Sequence, residues 1–123
     1  MMKKYLACLL FVSFFSHAGA ALDSALKPWS PSQIQQNGDV LQIVLPQAKI
    51  TDGLYKSVIT MGLCPVVWEG KAGDLKGVTE VALLNQFGKQ GYVVEEVIST
   101  CTEMGKLTGA ESDTYLLGKT RLY

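Results

Sequence analysis

Apolar runs separated by turn-forming residues divide the chain into short segments of two different periodicities. Val40–Leu45 is an almost continuous apolar run that follows an Asn-Gly turn sequence and stops at a proline, which is typical of a strand. Leu54–Leu63 is rich in β-branched residues and predicts a second strand. Thr51 and Asp52 could instead cap a short helix at this point, so both interpretations stay open.

A helical spacing begins at Asp74, which is a suitable N-cap residue. The apolar residues that follow recur with the spacing of one helix face: Leu75, Val78, Val81, Ala82 and Leu84. Gly91 predicts the end of this helix. Beyond it, the pattern predicts a strand over Tyr92–Thr100, a polar connection over Thr102–Asp113 and a last strand over Thr114–Tyr123.

These segments predict one small α+β domain of order β-β-α-β-β, with one helix packed on a mixed sheet over residues 39–123. Residues 21–38 predict an irregular N-terminal arm, because they contain two prolines, many polar residues and no sustained periodicity. Trp29 stands between the two prolines of this arm. It either pins the arm to the core or stays exposed as a docking residue.

The first twenty residues have the organisation of a secretory signal peptide. Lys3 and Lys4 form a positive start, and the uncharged apolar run Tyr5–Phe15 is too short to cross a bilayer as a helix. Ala18 and Ala20 supply the small residues that signal peptidase requires, so we expect cleavage directly after Ala20. The competing interpretation is an uncleaved anchor. We expect no later membrane span, and a bacterial periplasmic or secreted location.

Removing the leader changes the charge balance of the chain. It takes away two of the eleven basic residues and none of the eleven acidic ones, which leaves a net charge of −2 on 103 of the 123 residues. Nucleic acids and anionic membranes favour a basic surface. We therefore expect neither as a partner, and a chain of this length suits one core.

The cysteines predict one disulfide in an oxidising compartment. Cys8 lies inside the apolar run and is lost with the leader, which leaves Cys64 and Cys101. The predicted order places each of them at the end of a strand flanking the helix, where parallel strand ends would meet. A redox-active pair is the alternative, but the two cysteines lack the Cys-x-x-Cys spacing.

The segment Leu84–Val94 reads LNQFGKQGYVV. It resembles a pattern in small bacterial βαββ domains of unknown function, where Leu-Asn precedes two spaced glycines and an aromatic residue at a helix-to-strand turn. The similarity covers roughly residues 54–123, and a looser one extends to small periplasmic stress-protein domains of enteric bacteria. The resemblance implies a fold and no activity. The disulfide and the N-terminal arm depart from both groups.

Few catalytic groups remain once the leader is removed. The single histidine, His17, lies in the leader, which excludes histidine-based nucleophile pairs, acid–base catalysis and metal sites. Glu95 and Glu96 are adjacent, so on a strand they would point to opposite faces and could not form a dyad. We expect one of them to face solvent and the other to lie at a sheet edge or pair with Lys119 or Arg121. The acidic residues of the 102–113 connection lack a calcium-loop spacing. The sequence predicts no cofactor and no metal.

Aromatic residues are the remaining candidates for a site: Trp29, Trp68, Phe87 and Tyr123. The alternative for each of them is a place in the core or a semi-buried position. The leading interpretation is an exported, non-enzymatic protein-interaction module of the bacterial envelope, acting as an accessory, inhibitor or exclusion-type factor on another envelope or extracellular protein. The alternative is a small-ligand or envelope-surface binder with a pocket between helix and sheet, lined by residues such as Val78, Leu84 and Val94. A carboxylate-only hydrolase would need an acid pair about 5–10 Å apart. A homodimer through an unpaired sheet edge also remains open.

Overall fold

A computed structural model describes residues 19–123 of the chain, and the predicted leader up to residue 18 lies outside the described residues. Five strands form one mixed sheet in the order β1-β2-β3-β4-β5. They are β1 (Gln33–Asn37), β2 (Val40–Val44), β3 (Glu80–Leu84), β4 (Gly91–Val94) and β5 (Thr120–Leu122). Only β2 and β3 run parallel. The predicted α+β class, mixed sheet and single disulfide are confirmed.

The order of elements is richer in helix than predicted. The helices are α1 (Ala20–Leu26), α2 (Asp52–Val58), α3 (Cys64–Trp68), α4 (Val97–Met104) and α5 (Gly109–Gly118). A π-helical turn, Ile59–Leu63, joins α2 to α3, and 3₁₀ turns occupy Lys27–Trp29 and Ala72–Leu75. The predicted arrangement β-β-α-β-β with one helix is therefore wrong in detail.

The predicted strand Leu54–Leu63 is helical, and the alternative based on a Thr51 cap is confirmed. The hydroxyl oxygen of Thr51 accepts a hydrogen bond from the Leu54 N–H at 3.1 Å, which satisfies a free donor of the first turn. Helical spacing brings Tyr55, Val58 and Ile59 into the core. Burial of this face outweighs the β preference of the branched residues.

The predicted helix after Asp74 is wrong, because its apolar residues form the central strand β3. Gly77 has a φ of +79°, which breaks the chain direction after the 3₁₀ turn. Four successive residues of β3 are buried, because both faces of this strand are covered by packed side chains: Val81, Ala82, Leu83 and Leu84. A strand buried on both faces has a continuous apolar run that periodicity cannot distinguish from a helix.

The predicted strands Tyr92–Thr100 and Thr114–Tyr123 are both too long. The first ends at Val94, and Glu96 adopts a left-handed conformation with φ +49° before α4 begins. The first half of the second belongs to α5, and the three residues of β5 follow it. Much of the predicted polar connection 102–113 is also helical.

The segment predicted as an irregular arm is instead ordered as α1 and β1. Leu22 and Leu26 are buried on one side of α1. The Leu22 N–H donates to the Asp74 carboxylate at 2.9 Å, so a distant residue supplies the acceptor for the first turn. At the other end of the segment, a two-residue turn with Gly38 at φ +63° joins β1 to β2.

The main core lies between one sheet face and the helices. The sheet contributes residues such as Leu41, Ile43, Val81, Leu83 and Val94. A smaller buried cluster on the opposite face contains Ala82, Leu84 and Val93, flanked by Val40 and Val44. Val78, Leu84 and Val94, which were expected to line a ligand pocket, are thus buried in these clusters.

The disulfide joins Cys64 to Cys101 with a Cα–Cα distance of 5.1 Å. The predicted pairing is confirmed, but its predicted position at two strand ends is wrong. Cys64 begins α3 and Cys101 lies within α4, so the bond holds two helices of the helical layer together. This cross-link fixes one wall of the cleft described below.

Candidate functional site

The four aromatic candidates lie in three different places. Trp29 is half-buried against the main core, and a Cβ atom at Gly62 would lie only 2.8 Å from its ring. Trp68 is 44% exposed beside the disulfide. Phe87 and Tyr123, which are 65% and 53% exposed, lie at the same end of the sheet. We call Phe87 and Tyr123 the turn surface.

Phe87 belongs to the turn between β3 and β4, and the buried Asn85 side chain organises that turn. The Asn85 amide donates to the Ala48 carbonyl at 3.0 Å. Its carbonyl oxygen accepts from the backbone N–H groups of Lys89 and Gln90 at 3.0 and 3.1 Å. One side chain therefore closes the turn and ties it to the preceding loop.

Gln90 fixes the other side of the same turn. Its side-chain amide donates to the Ile50 carbonyl at 2.9 Å and accepts from the Ile50 N–H at 2.7 Å, as a neighbouring strand would. A Cβ atom at Gly91 would lie 1.8 Å from the Leu83 carbonyl oxygen, so only glycine fits there. The turn is held from both sides, and the Phe87 ring extends into solvent from a fixed backbone.

Tyr123 joins this end of the sheet through backbone pairing. Its N–H donates to the Gly91 carbonyl at 3.1 Å, directly beside the point where β4 leaves the turn. Leu122, at 72% exposed, is the next residue on β5. Apolar side chains of two separate chain segments are therefore presented at one end of the molecule.

A cleft of about 710 Å³ lies between the segment Thr60–Trp68 and the two helices α4 and α5. The Trp68 indole forms part of its wall and donates to the Cys101 carbonyl at 2.7 Å. A Cβ atom at Gly105 would lie 2.8 Å from the indole nitrogen, so the indole packs directly on the chain after α4. The volume is within the range typical of small-molecule sites, about 300–1,000 Å³.

Polar groups also line this cleft. The Thr60 hydroxyl oxygen is buried without a hydrogen-bond partner among residues 19–123. Asp113 lies 3.6 Å from the Lys56 ammonium, and Lys106 lies 3.0 Å from Glu103. Each charge at the cleft therefore already has a partner of opposite sign.

Both carboxylates singled out in the sequence pair with cations, whereas only one of them was expected to do so. Glu95 lies 3.2 Å from Arg121, which also contacts Glu80 at 2.6 Å. Glu96 lies 3.0 Å from Lys119 and, by this hydrogen-bonded ion pair, raises the pKa of that lysine. These ion pairs lie at the surface, and each of the two carboxylates faces a cation. In the described part of the chain, no three His, Cys, Asp or Glu side chains are grouped as metal ligands.

The Tyr55 hydroxyl is a buried titratable group of the main core. It hydrogen-bonds to the Thr120 hydroxyl at 2.6 Å, and Thr120 in turn donates to the Leu116 carbonyl at 2.7 Å. Burial raises the pKa of Tyr55 to about 12. The chain of hydrogen bonds links α2, β5 and α5, which makes it a stabilising network away from either candidate surface.

The sequence pointed to Trp68 and Phe87 as candidates, but it did not identify the residues that fix them. Asn85 and Gln90 reach partners 37 and 40 positions away, and no local pattern shows such contacts. Thr60, Lys106 and Asp113 likewise meet only through the packing of helices that were predicted as strand or connection. An asparagine before a glycine-containing turn was the one available signal.

No helix within residues 19–123 has the length and apolar character needed to span a bilayer. Comparison of the chain with protein-family models, curated proteins and solved structures gives no match. The resemblance to small bacterial βαββ domains therefore stays a prediction, and the function proposed below depends on the residues and geometry of this chain alone.

Proposed function

We propose that this chain is an exported, non-enzymatic protein-interaction module of the bacterial envelope that binds its partner through the turn surface. The observation that carries the proposal is Phe87, a large apolar ring that is 65% exposed on a turn held by Asn85 and Gln90. The partner is another envelope or extracellular protein with an apolar pocket that accepts a phenyl ring.

The physical support comes from the combination of exposure and a fixed backbone. Exposed aromatic rings are costly to hydrate, and a few such residues supply most of the binding energy at protein interfaces. A backbone that is already ordered loses little conformational entropy when it binds. Phe87 makes no contribution to either buried cluster, so a partner is the simplest reason for its position.

Export is supported by the leader pattern of residues 1–20 and by the disulfide. Disulfides persist in oxidising compartments such as the periplasm and are rare in the cytosol. The weak negative charge expected after processing favours a protein partner over a nucleic acid. An accessory subunit, an inhibitor and an exclusion-type factor all belong to this class.

Affinity capture from the native envelope tests the proposal. Tagged wild-type protein, Phe87→Ala and Leu117→Ala are compared after mild crosslinking and mass spectrometry. Leu117 is a matched control because it is an apolar residue, 54% exposed, on α5. We expect Phe87→Ala to reduce recovery of the partner at least tenfold, while Leu117→Ala retains it.

Equal recovery with both variants would reject the turn surface as the interface. Capture of a second copy of this chain would replace the foreign partner with self-association. Circular dichroism of each variant confirms that the fold is intact, since neither side chain belongs to the buried clusters.

A further inference from the structure

The cleft beside the disulfide differs from the turn surface in shape and in the chemistry of its side chains. It is a concave site of about 710 Å³ in the helical layer, whereas Phe87 protrudes from one end of the sheet. The two surfaces also differ in composition, because the cleft combines an aromatic wall with hydroxyl and charged groups. A ligand for the cleft must satisfy both kinds of group.

Trp68 supplies a flat apolar wall whose orientation is fixed before any ligand arrives. Its indole N–H is already bonded to the Cys101 carbonyl at 2.7 Å, and the disulfide holds Cys101 in place. The nitrogen is therefore satisfied, and Trp68, which is 44% exposed and lines the cleft, is available for stacking. A ligand with one flat face of C–H groups fits such a wall.

The charges at the cleft favour a ligand without net charge. Lys106 is paired with Glu103 at 3.0 Å, and Asp113 with Lys56 at 3.6 Å. Lys106 and Asp113, the two charged residues that line the cleft, have opposite signs, so the lining offers a charged ligand no net attraction. A neutral ligand can instead accept from Lys106 and donate to Asp113, so hydroxyl groups suit both residues.

Thr60 adds a further polar group that lacks a partner within the described residues. It lies in the π-helical turn Ile59–Leu63, and such turns occur frequently at functional sites. The residue lines the cleft but its hydroxyl oxygen is buried, so a change of χ1 rotamer is required before that oxygen can reach a ligand. A hydroxylated ligand would then satisfy an oxygen that is otherwise unpaired.

We infer that this cleft binds a neutral saccharide, with one pyranose ring stacked on Trp68 and its hydroxyl groups bonded to Thr60, Lys106 and Asp113. A pyranose has an apolar C–H face and a rim of hydroxyl groups, which matches the wall and the polar groups of the cleft. An apolar peptide side chain would match the wall alone. The inference is independent of the partner proposed for Phe87.

Titration of the purified protein with four sugars tests the inference. The indole N–H resonance of Trp68 is followed by NMR, with a Trp29→Phe variant to assign the two tryptophan signals. The neutral probes are methyl β-D-glucopyranoside and N,N′-diacetylchitobiose, and the charged probes are glucuronate and glucosamine. We expect saturable shifts with the neutral probes and weaker binding of both charged probes.

The two neutral probes also distinguish the source of the sugar. At least tenfold tighter binding of the disaccharide indicates a glycan chain, whereas equal affinity indicates a free sugar. If neither neutral probe shifts the Trp68 resonance, the inference is overturned. Tighter binding of glucuronate or glucosamine would overturn it as well.

Variants separate ligand binding from stability. Thr60→Val removes the unpaired hydroxyl, so we expect a higher Tm together with about fivefold weaker sugar binding. Thr114→Val, at an exposed position of α5, is the matched control and leaves the affinity unchanged. Unchanged affinity in Thr60→Val would contradict the assigned contact. Phe87→Ala retains full sugar binding, so failure of the interface proposal leaves this result interpretable.

Discussion

The turn surface and the cleft each present an exposed aromatic residue, but they fix it in opposite ways. Around Phe87 the backbone is held by Asn85 and Gln90, while the ring itself points into solvent. At Trp68 the side chain itself is anchored by its own hydrogen bond. A ring that protrudes from a fixed backbone suits insertion into a partner's pocket, whereas an anchored ring suits the wall of a receiving site.

The two regions also depend on different stabilising elements. The cleft wall depends on the disulfide, which ties α3 to α4. The turn depends on two amide side chains and on loop residues 48–50. Removing one element at a time should therefore damage one region and leave the other in place.

The largest effect is expected from the disulfide. The bond spans 37 positions, and a Cys64→Ser/Cys101→Ser variant should lose about 3.5–4 kcal/mol of unfolding free energy by the loop-closure estimate. Urea unfolding measures this loss. Hydrogen exchange should show the Trp68 region opening while the amides of Lys89 and Gln90 remain protected.

Equal loss of protection at Trp68 and at the turn would show that the two regions are not independent. Reduction of the wild-type protein with a thiol provides the matched control, because it breaks the same bond without a substitution.

The next largest effect is expected from Asn85→Ala. The change leaves the Ala48 carbonyl and two backbone N–H groups of a partly buried turn without their partner, at a cost of about 2–3 kcal/mol. Partner capture should also fall although Phe87 is intact, because the turn is no longer preorganised. Urea unfolding and affinity capture check the two effects, with exposed Gln86→Ala as the control.

Tyr55 gives a pH-dependent effect that belongs to neither surface. Its pKa is raised from 10.0 to about 12, so the unfolded state releases the proton first as the pH rises. The contribution of Tyr55 to the unfolding free energy should therefore be constant below pH 10 and fall between pH 10 and 12, by about 2–3 kcal/mol. Tyr55→Phe removes this part of the pH dependence, and urea unfolding at pH 9 and 11.5 compares the two proteins.

A slope that is the same in wild type and Tyr55→Phe would contradict the assignment of the titration to this residue. The Thr120→Val variant serves as a second control, because it removes the hydroxyl partner while the buried phenol remains.

The smallest effect is expected from Asp74→Ala. It removes the acceptor for the Leu22 N–H at the start of α1, which should cost about 1 kcal/mol. Asp74→Asn keeps an oxygen acceptor and should recover part of the loss. Thermal unfolding measures both variants, and binding at the turn surface should be unchanged in either.

The sequence predicted the parts of the fold that depend on local signals. Val40–Leu45 forms the expected strand β2 up to Val44, and the predicted cysteine pair forms the disulfide. Predictions failed where burial outweighed local preference. The branched residues after Thr51 form a helix, because helical spacing buries Tyr55 and Val58.

The candidate surfaces were predictable only in part. Phe87 was among the aromatic candidates, but the sequence placed it in a predicted helix, whereas the structure places it in the turn before Gly88, which has φ +68°. The contacts that hold the turn join residues about 40 positions apart. The cleft is lined by two segments between which strands β3 and β4 lie in the sequence. Such contacts arise from tertiary packing, which one sequence does not reveal.

Site-specific photo-crosslinking from position 87 tests the central claim most directly. A photoreactive phenylalanine analogue replaces Phe87 in one protein and Leu117 in the control, and both are irradiated in the native envelope. We expect one dominant crosslinked protein from position 87 and none from position 117. No crosslink from position 87, or the same pattern from both positions, would contradict the turn surface as the interface.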